Sequence, residues 1–389
     1  MNLSSISLQK YHISNEFGFL IEEPLEYLPE YFQQWNSVAK AMPELVKTKQ
    51  LRDAVHKMTL LNFKQLHGHR QYRLAHLQLS LIAVGYIWQE GDSGAAKTLP
   101  ENLSVPWCGV SEYVGLQPVI CHASLVLCNW RYTDDGRTVE CLYKLPGGSD
   151  AEWFITVTVR TELAFAEGLQ NLMQVLNYAE LNNKQELVDC LIKATQTVKS
   201  MQKTVSTMHE KLSAEIFYDV MRPFLTGWGG AGSPLPDGII YEGVNDKPMK
   251  MTGGSAAQSS TIQCIDAILG VKHSQENNDF LMNMRHYMPP SHREFLSAIE
   301  RESKVKSVVE TCDCVKLREA YNQCVKAVVD FRSYHIQIVT KYIVLMANRE
   351  SRNKDYESLA TMGTGGSSIL PFLKSLRSTT SDCLKETEN

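Results

Sequence analysis

Residues 315–345 read VKLREAYNQCVKAVVDFRSYHIQIVTKYIVL. Leu317, Tyr321, Cys324, Val328, Phe331, His335, Ile338, Tyr342 and Leu345 recur at alternating steps of four and three. That period marks one face of an α-helix. The opposite stripe, Lys326, Asp330, Ser333, Gln337 and Lys341, is polar. The pattern predicts a long helix with one buried side, and His335 is the only basic side chain on that side. A buried neutral imidazole offers one lone pair and one N–H, which suits a metal centre. On the stripe alone, a core histidine bonded to a carbonyl is the commoner state.

Working outward, most of the chain is predicted helical. Residues 27–58 have an irregular helical pattern. Tyr72, His76, Leu79, Ala83 and Tyr86 form a stripe that ends at Gly91, with His76 as a hydrogen-bonded core histidine. Leu187, Leu191, Ala194, Val198, Met201, Val205, Met208 and Leu212 form a long amphipathic helix, separated from the preceding one by Asn182-Asn183. Residues 138–145 alternate and suggest a short strand pair. Residues 119–130 are apolar. Trp153-Phe154-Ile155-Thr156-Val157-Thr158-Val159 is β-branched and aromatic, so local propensity favours a strand there. Ile216 to Leu225 reads as a short helix disturbed by Pro223. Residues 227–246 are a long Gly/Pro-rich connection, of the kind that is often functional. Ser255 with Gln258 makes a capping box for the helix that follows.

The length, 389 residues, makes two domains the expectation. Pro146-Gly147-Gly148-Ser149-Asp150 is the breaker cluster that divides them, giving a small domain 1–146 and a large one 147–389. A net charge of −4 and the lack of a basic run argue against nucleic acid or an anionic membrane surface as partner. The longest apolar stretch, Leu77 to Trp88, is shorter than the about 20 residues a membrane span needs, and Met1 to Ser14 has no signal core. The ten cysteines include no Cys-x-x-Cys pair, which fits reduced thiols in the cytosol. His67-Gly68-His69 has no cysteine or carboxylate cluster beside it to complete a metal site.

Four blocks resemble the indoleamine 2,3-dioxygenase family. They are Phe331-Arg332-Ser333-Tyr334-His335-Ile336-Gln337-Ile338-Val339-Thr340-Lys341-Tyr342-Ile343; Gly253-Gly254-Ser255-Ala256-Ala257-Gln258-Ser259-Ser260 with Gln263, Cys264, Asp266 and Leu269-Gly270; Tyr287-Met288-Pro289-Pro290-Ser291-His292-Arg293; and Gly363-Thr364-Gly365-Gly366. They stand in family order across most of the chain. The resemblance implies a mainly α fold: a small helical domain with short β elements and a large all-helical domain that binds haem b. It also implies that residues 153–172 are helical, against local propensity.

By the same resemblance, His335 is the proximal iron ligand, and an Arg332–Asp266 ion pair lies near it. For any one such pair a surface salt bridge is the usual case. Gly254, Ser255 and Ala256 border the haem, where glycine permits close backbone approach. Phe217 and Arg222 take the indole-stacking and carboxylate-gripping positions, with Tyr218 beside them. Arginine suits that role because its planar fork grips a carboxylate with two parallel bonds. They stand five residues apart, so helical spacing alone would not put both on one face. Thr158, with Thr156 as the alternative register, is the distal hydroxyl position, and Ser255 joins it as a catalytic position. Thr364 lies in a substrate-covering loop.

His122 and Leu125 stand where the high-affinity vertebrate enzyme has tyrosine and cysteine, and Thr158 stands where it has serine. These departures resemble the low-affinity branch of the family. The implied reaction adds O2 across the indole C2=C3 bond of L-tryptophan to give N-formylkynurenine, with an external reductant and no protein general base. The expected protein is a cytosolic monomer. The family also includes molluscan haem proteins that serve as myoglobins, so an oxygen-binding protein without useful turnover is the alternative.

Overall fold

The computed structural model describes residues 6–230, 233–349 and 369–385. Helices dominate it. The first group is α1 (Gln33–Lys47), α2 (Leu51–Lys57), α3 (Gly68–Trp88), α4 (Glu101–Val114) and the single turn α5 (His122–Leu125). Buried residues cover every side of α3 from Tyr72 to Trp88. A helix apolar all round belongs at the centre of its group, and α1 and α4 pack against it. Its polar groups are satisfied within the core. Gln78 donates to Asn36 Oδ1 at 2.8 Å and to Tyr143 Oη at 2.7 Å. His76 Nε2 lies 3.0 Å from the Gln117 carbonyl, as expected of a core histidine. Gly85 permits the close crossing with α2, since a Cβ there would lie 2.4 Å from Leu51.

The second group opens with α6 (Ser149–Glu180), which begins directly after Gly147 and Gly148, both at positive φ. It is continuous through residues 153–161, so helix prevails over strand propensity. Six β-branched residues there cost about 0.5 kcal/mol each in a helix, about 3 kcal/mol in all. Complete burial of Ile155, Val157 and Val159 returns roughly 1.5–3 kcal/mol apiece. Packing therefore outweighs propensity.

Asn182, in the left-handed region at φ 50°, turns the chain into α7 (Lys184–Ser206), which Asn183 caps by accepting the Glu186 N–H. Next come α8 (Met208–Lys211), α9 (Ser260–Leu269), α10 (Gln275–Met284), α11 (Pro290–Glu302), α12 (Val305–Thr311), α13 (Val315–Val339), α14 (Leu345–Ala347) and α15 (Ile369–Ser381). The helices α6, α7, α13 and α15 pack in that order, each against the next.

Strands are minor. β2 (Arg131–Tyr132) pairs antiparallel with β3 (Val139–Glu140), so only two residues of the predicted 138–145 element are strand. The strand β1 (Thr98–Leu99) pairs in parallel with β4 (Ile240–Tyr241). Because β4 lies in the 227–246 connection, the part after residue 146 is not entirely helical, a correction to the expectation. Tyr241 donates to the Pro118 carbonyl at 2.7 Å and anchors the connection on the first group.

Two further details differ. The Ser255–Gln258 capping box is present, but it closes a 3-10 turn over Ala256–Gln258, and Ser259 is the cap of α9. The stripe around His335 also ends early. A π-helical turn over Thr340–Val344 follows α13 and shifts the phase, so Tyr342 is buried while Leu345 is 57% exposed.

Candidate functional site

His335 projects from α13 into a cavity with two connected lobes. The smaller lobe is walled by Phe217, Arg222 and Tyr342, and the larger by His122, Leu125, Thr158, Glu162 and Asp266. Phe154, Leu225, Gly254, Ser255, Ala256 and His335 face both lobes. Counting the space at the mouth, the larger lobe measures about 1520 Å³ and the smaller about 940 Å³.

Among the described residues neither ring nitrogen of His335 has a hydrogen-bond partner. Its accessible surface faces the cavity, and its depth, reinforced by the nearby Arg332, pushes the imidazole pKa down to about 4. At neutral pH the ring therefore holds a lone pair free for coordination.

Arg332 donates to Asp266 Oδ2 at 2.5 Å, and both side chains are buried. The pair is thus not a surface salt bridge. Breaking such a buried pair costs about 3–5 kcal/mol. His273 approaches the same oxygen at 3.2 Å, and its other nitrogen lies 2.7 Å from Thr379 Oγ1 on α15. Burial acts to raise the Asp266 pKa, but Arg332 and His273 outweigh it and hold the carboxyl below its ordinary value.

Phe217 and Arg222 share the smaller lobe despite being five residues apart. Residues Ile216–Met221 form a π-helical turn, in which the Arg222 N–H bonds to the Phe217 carbonyl. A π turn brings residues i and i+5 together, as an α-helix does i and i+4. The Phe217 ring contacts Phe154 at 5.3 Å and Tyr342 at 5.8 Å. The Arg222 guanidinium is fully buried, sits 5.2 Å from the Tyr218 ring, and has its pKa pushed down to about 10 by burial. Tyr218 is buried behind Arg222 and does not line the cavity.

Of the two candidate threonines, Thr158 lines the larger lobe, and Thr156 is not among its lining residues. The Thr158 hydroxyl donates to the Phe154 carbonyl one turn back at 2.8 Å. Ser255 Oγ accepts the Ala257 N–H at 3.3 Å as a cap. Gly253 and Gly254 serve different needs. A Cβ on Gly253 would lie 2.2 Å from the Leu225 carbonyl oxygen, so glycine is required by the crossing of two backbones. A Cβ on Gly254 would meet no protein atom closer than 3.8 Å. That glycine keeps the cavity wall low. Thr364 lies outside the described residues.

Sequence reasoning gave no role to Glu162 and gave Gln258 only its place in the capping box. Glu162 is buried in the wall of the larger lobe, where it accepts from His122, Ser259 and Thr261. Gln258 fastens three segments at once: its Oε1 accepts from the His122 N–H at 3.0 Å and the Ser255 N–H at 3.3 Å, and its Nε2 donates to the Gly253 carbonyl at 2.8 Å. A signal for Glu162 existed, since Phe154, Thr158 and Glu162 follow at steps of four. A carboxylate on the inner face of a helix demands partners.

The family model for indoleamine 2,3-dioxygenase matches residues 7–383. The chain belongs to the indoleamine 2,3-dioxygenase family. A protein named myoglobin from Haliotis madaka is 46% identical over 379 residues, covering 97% of this chain and 99% of its own. Indoleamine 2,3-dioxygenase 2 from Homo sapiens is 40% identical over 386 residues, with 96% and 95% covered. Indoleamine 2,3-dioxygenase 1 from Rattus norvegicus is 36% identical over 389 residues, with 97% and 95% covered. The cofactor of the family is haem. The residues here fit it: one unpartnered neutral imidazole, apolar walls from Phe154, Leu225 and Ile338, and a glycine that leaves the wall clear for a flat ring. No group of three or more His, Cys, Asp or Glu side chains placed to hold a metal ion occurs among the described residues. No helix of the described residues is long and apolar enough to cross a membrane.

Proposed function

We propose that the chain is a haem-dependent dioxygenase that converts L-tryptophan to N-formylkynurenine. The observation that carries this reading is Arg222, a fully buried guanidinium in the wall of the same cavity as His335. Its planar fork, held in that wall, is of the type that grips a substrate carboxylate with two charge-assisted bonds. An oxygen store has no use for such a group.

When bound, haem supplies the chemistry that adds dioxygen across the indole double bond. The chain's residues do the rest. His335 holds the cofactor by its lone pair, and Arg332 with Asp266 fixes the helix that carries it. Arg222 binds the substrate carboxylate, while Phe217, wedged between Phe154 and Tyr342, offers a ring face to the indole. The apolar walls exclude water. Orienting the substrate in this way accounts for much of what a protein contributes to such a reaction. An external reductant, a monomeric state and a cytosolic location complete the proposal.

The second reading is an oxygen-binding protein with little turnover. It is favoured by the 46% identity to the Haliotis madaka myoglobin. One assay separates the two. Haem-reconstituted, reduced protein in air is given tryptophan over a wide concentration range, and N-formylkynurenine is measured. Steady product formation is expected. Reversible oxygen binding with no product would overturn the dioxygenase reading.

A further inference from the structure

Two π-helical turns meet beside the smaller lobe. One is Ile216–Met221, which carries Phe217 and leads into Arg222, and the other is Thr340–Val344, which carries Tyr342. Side chains join the two segments twice. The Phe217 and Tyr342 rings lie 5.8 Å apart, edge to face. Arg349 donates from Nη2 to Asp219 Oδ2. Asp219 stands inside the first turn, between Phe217 and Arg222. Arg349 stands just beyond α14, where its N–H meets the Met346 carbonyl at 3.4 Å. Both side chains are mostly buried, with 21% of Arg349 and 14% of Asp219 exposed. The same charges surround Tyr218: burial raises its pKa, Arg222 acts to lower it, Asp219 to raise it and Arg349 to lower it.

A π turn is rare, occurs as a single turn and is frequent at functional sites. Its competitor is the ordinary α register. At 3.6 residues per turn, residues five apart in an α-helix lie about 140° apart around the axis, so Arg222 would leave the side that Phe217 faces. Something outside the turn must select the register that keeps them together. An ion pair at Asp219 grips the turn from its middle and ties it to a distant segment of chain. A fully exposed bridge would be too weak for this task, whereas a mostly buried pair is costly to break from one side. We infer that Arg349, acting through Asp219, holds residues 216–221 in the π register and is thereby a positioning residue for Arg222. The inference deepens the reading above and rests on Arg222 being the carboxylate anchor.

The test compares L-tryptophan with tryptamine, which keeps the indole and lacks the carboxylate. Binding to ferric, haem-loaded protein without dioxygen is followed by the haem absorption spectrum and by equilibrium dialysis. Amide hydrogen exchange is followed over residues 213–222. In Arg349→Ala tryptophan should bind about tenfold more weakly, the lower end of what one charge-assisted hydrogen bond contributes. Tryptamine should bind as it does to the parent, and the 213–222 segment should exchange faster. Arg349→Lys keeps the charge and should recover most of the loss. Asp219→Asn breaks the same pair, so its loss should match that of Arg349→Ala and the double variant should be no worse than either. A bridge that only stabilises the fold would lower the denaturation midpoint and leave the tryptophan-to-tryptamine ratio at the parent value. That result, or losses that add in the double variant, would overturn the inference. Should Arg349→Ala fail to fold, Asp219→Asn carries the same expectation. Arg222→Ala is measured beside them. If it loses tryptophan affinity while Arg349→Ala does not, the positioning role alone is wrong. If it binds tryptophan as the parent does, the anchor is wrong and the positioning role falls with it.

Discussion

The backbone N–H of Arg222 donates to the carbonyl of Phe217, five residues earlier. That single π-helical bond brings an aromatic face and a guanidinium to one lobe of the cavity. It predicts that Arg222 acts as a clamp independent of the cofactor. Arg222→Ala should keep its haem and its oxygen binding. It should lose roughly 2–4 kcal/mol of transition-state binding, about thirty- to a thousandfold in kcat/KM for tryptophan. Steady-state kinetics beside a haem-content measurement separates these outcomes, and equal turnover in variant and parent would remove the clamp.

His335 and His76 both lie on apolar helical stripes, and the structure separates them. His76 has the Gln117 carbonyl at 3.0 Å and Ser80 Oγ at 3.4 Å, whereas His335 has no partner among the described residues. His335→Ala should therefore fold and retain little haem, while His76→Ala should keep its haem and lose stability. Absorption spectra and haem-to-protein ratios of the purified variants are the measurement. A full haem complement with an unchanged spectrum in His335→Ala would rule out the ligand assignment.

His76 also gives the protein a pH dependence. Burial pushes its pKa from 6.5 down to about 4, against a raising contribution from the Gln117 carbonyl. The unfolded chain thus binds this proton more readily than the folded one. The stabilisation is complete above pH 6.5 and is lost as pH falls toward 4. At about 1.4 kcal/mol per pH unit, roughly 3 kcal/mol is at stake. Denaturation midpoints measured across that window should fall steadily with pH. The non-titrating variant His76→Gln should flatten the slope, and an unaltered slope would place the effect elsewhere.

How far the sequence carried depended on the range of the interactions. The stripe through His335 was legible because a helix repeats its environment every three or four residues. The helix over 153–161 was not legible from propensity, and only the family resemblance placed it. Its stability comes from burial against other helices, which no local window contains. The grouping of Phe217 with Arg222 was hidden for another reason: it depends on one hydrogen-bond register, and periodicity assumes a constant one. A similar turn at Thr340–Val344 moved Leu345 to the surface. The Glu162 cluster joins residues separated by 40, 97 and 99 positions. Sequence could flag that carboxylate as needing partners, but only the folded chain names them.

Thr158 bears on tryptophan affinity. Its hydroxyl donates to its own helix at the Phe154 carbonyl, and the residue lines the larger lobe, where its methyl is extra bulk relative to serine. A misfit of one methyl in such a pocket is worth about 1–3 kcal/mol. Together with His122 and Leu125 in the same wall, it predicts weak tryptophan binding, with a KM toward or above the upper end of the usual range of about 1 μM to 1 mM. Thr158→Ser removes the methyl and can keep the backbone bond, and it should raise kcat/KM for tryptophan by about tenfold, the low end of that misfit. Thr158→Ala tests the hydroxyl separately: if the hydroxyl serves only the helix, alanine should match serine in kcat/KM while costing some stability. A micromolar KM in the unmodified protein, or no gain in Thr158→Ser, would show that the methyl does not limit affinity and would leave the assignments of His335 and Arg222 standing.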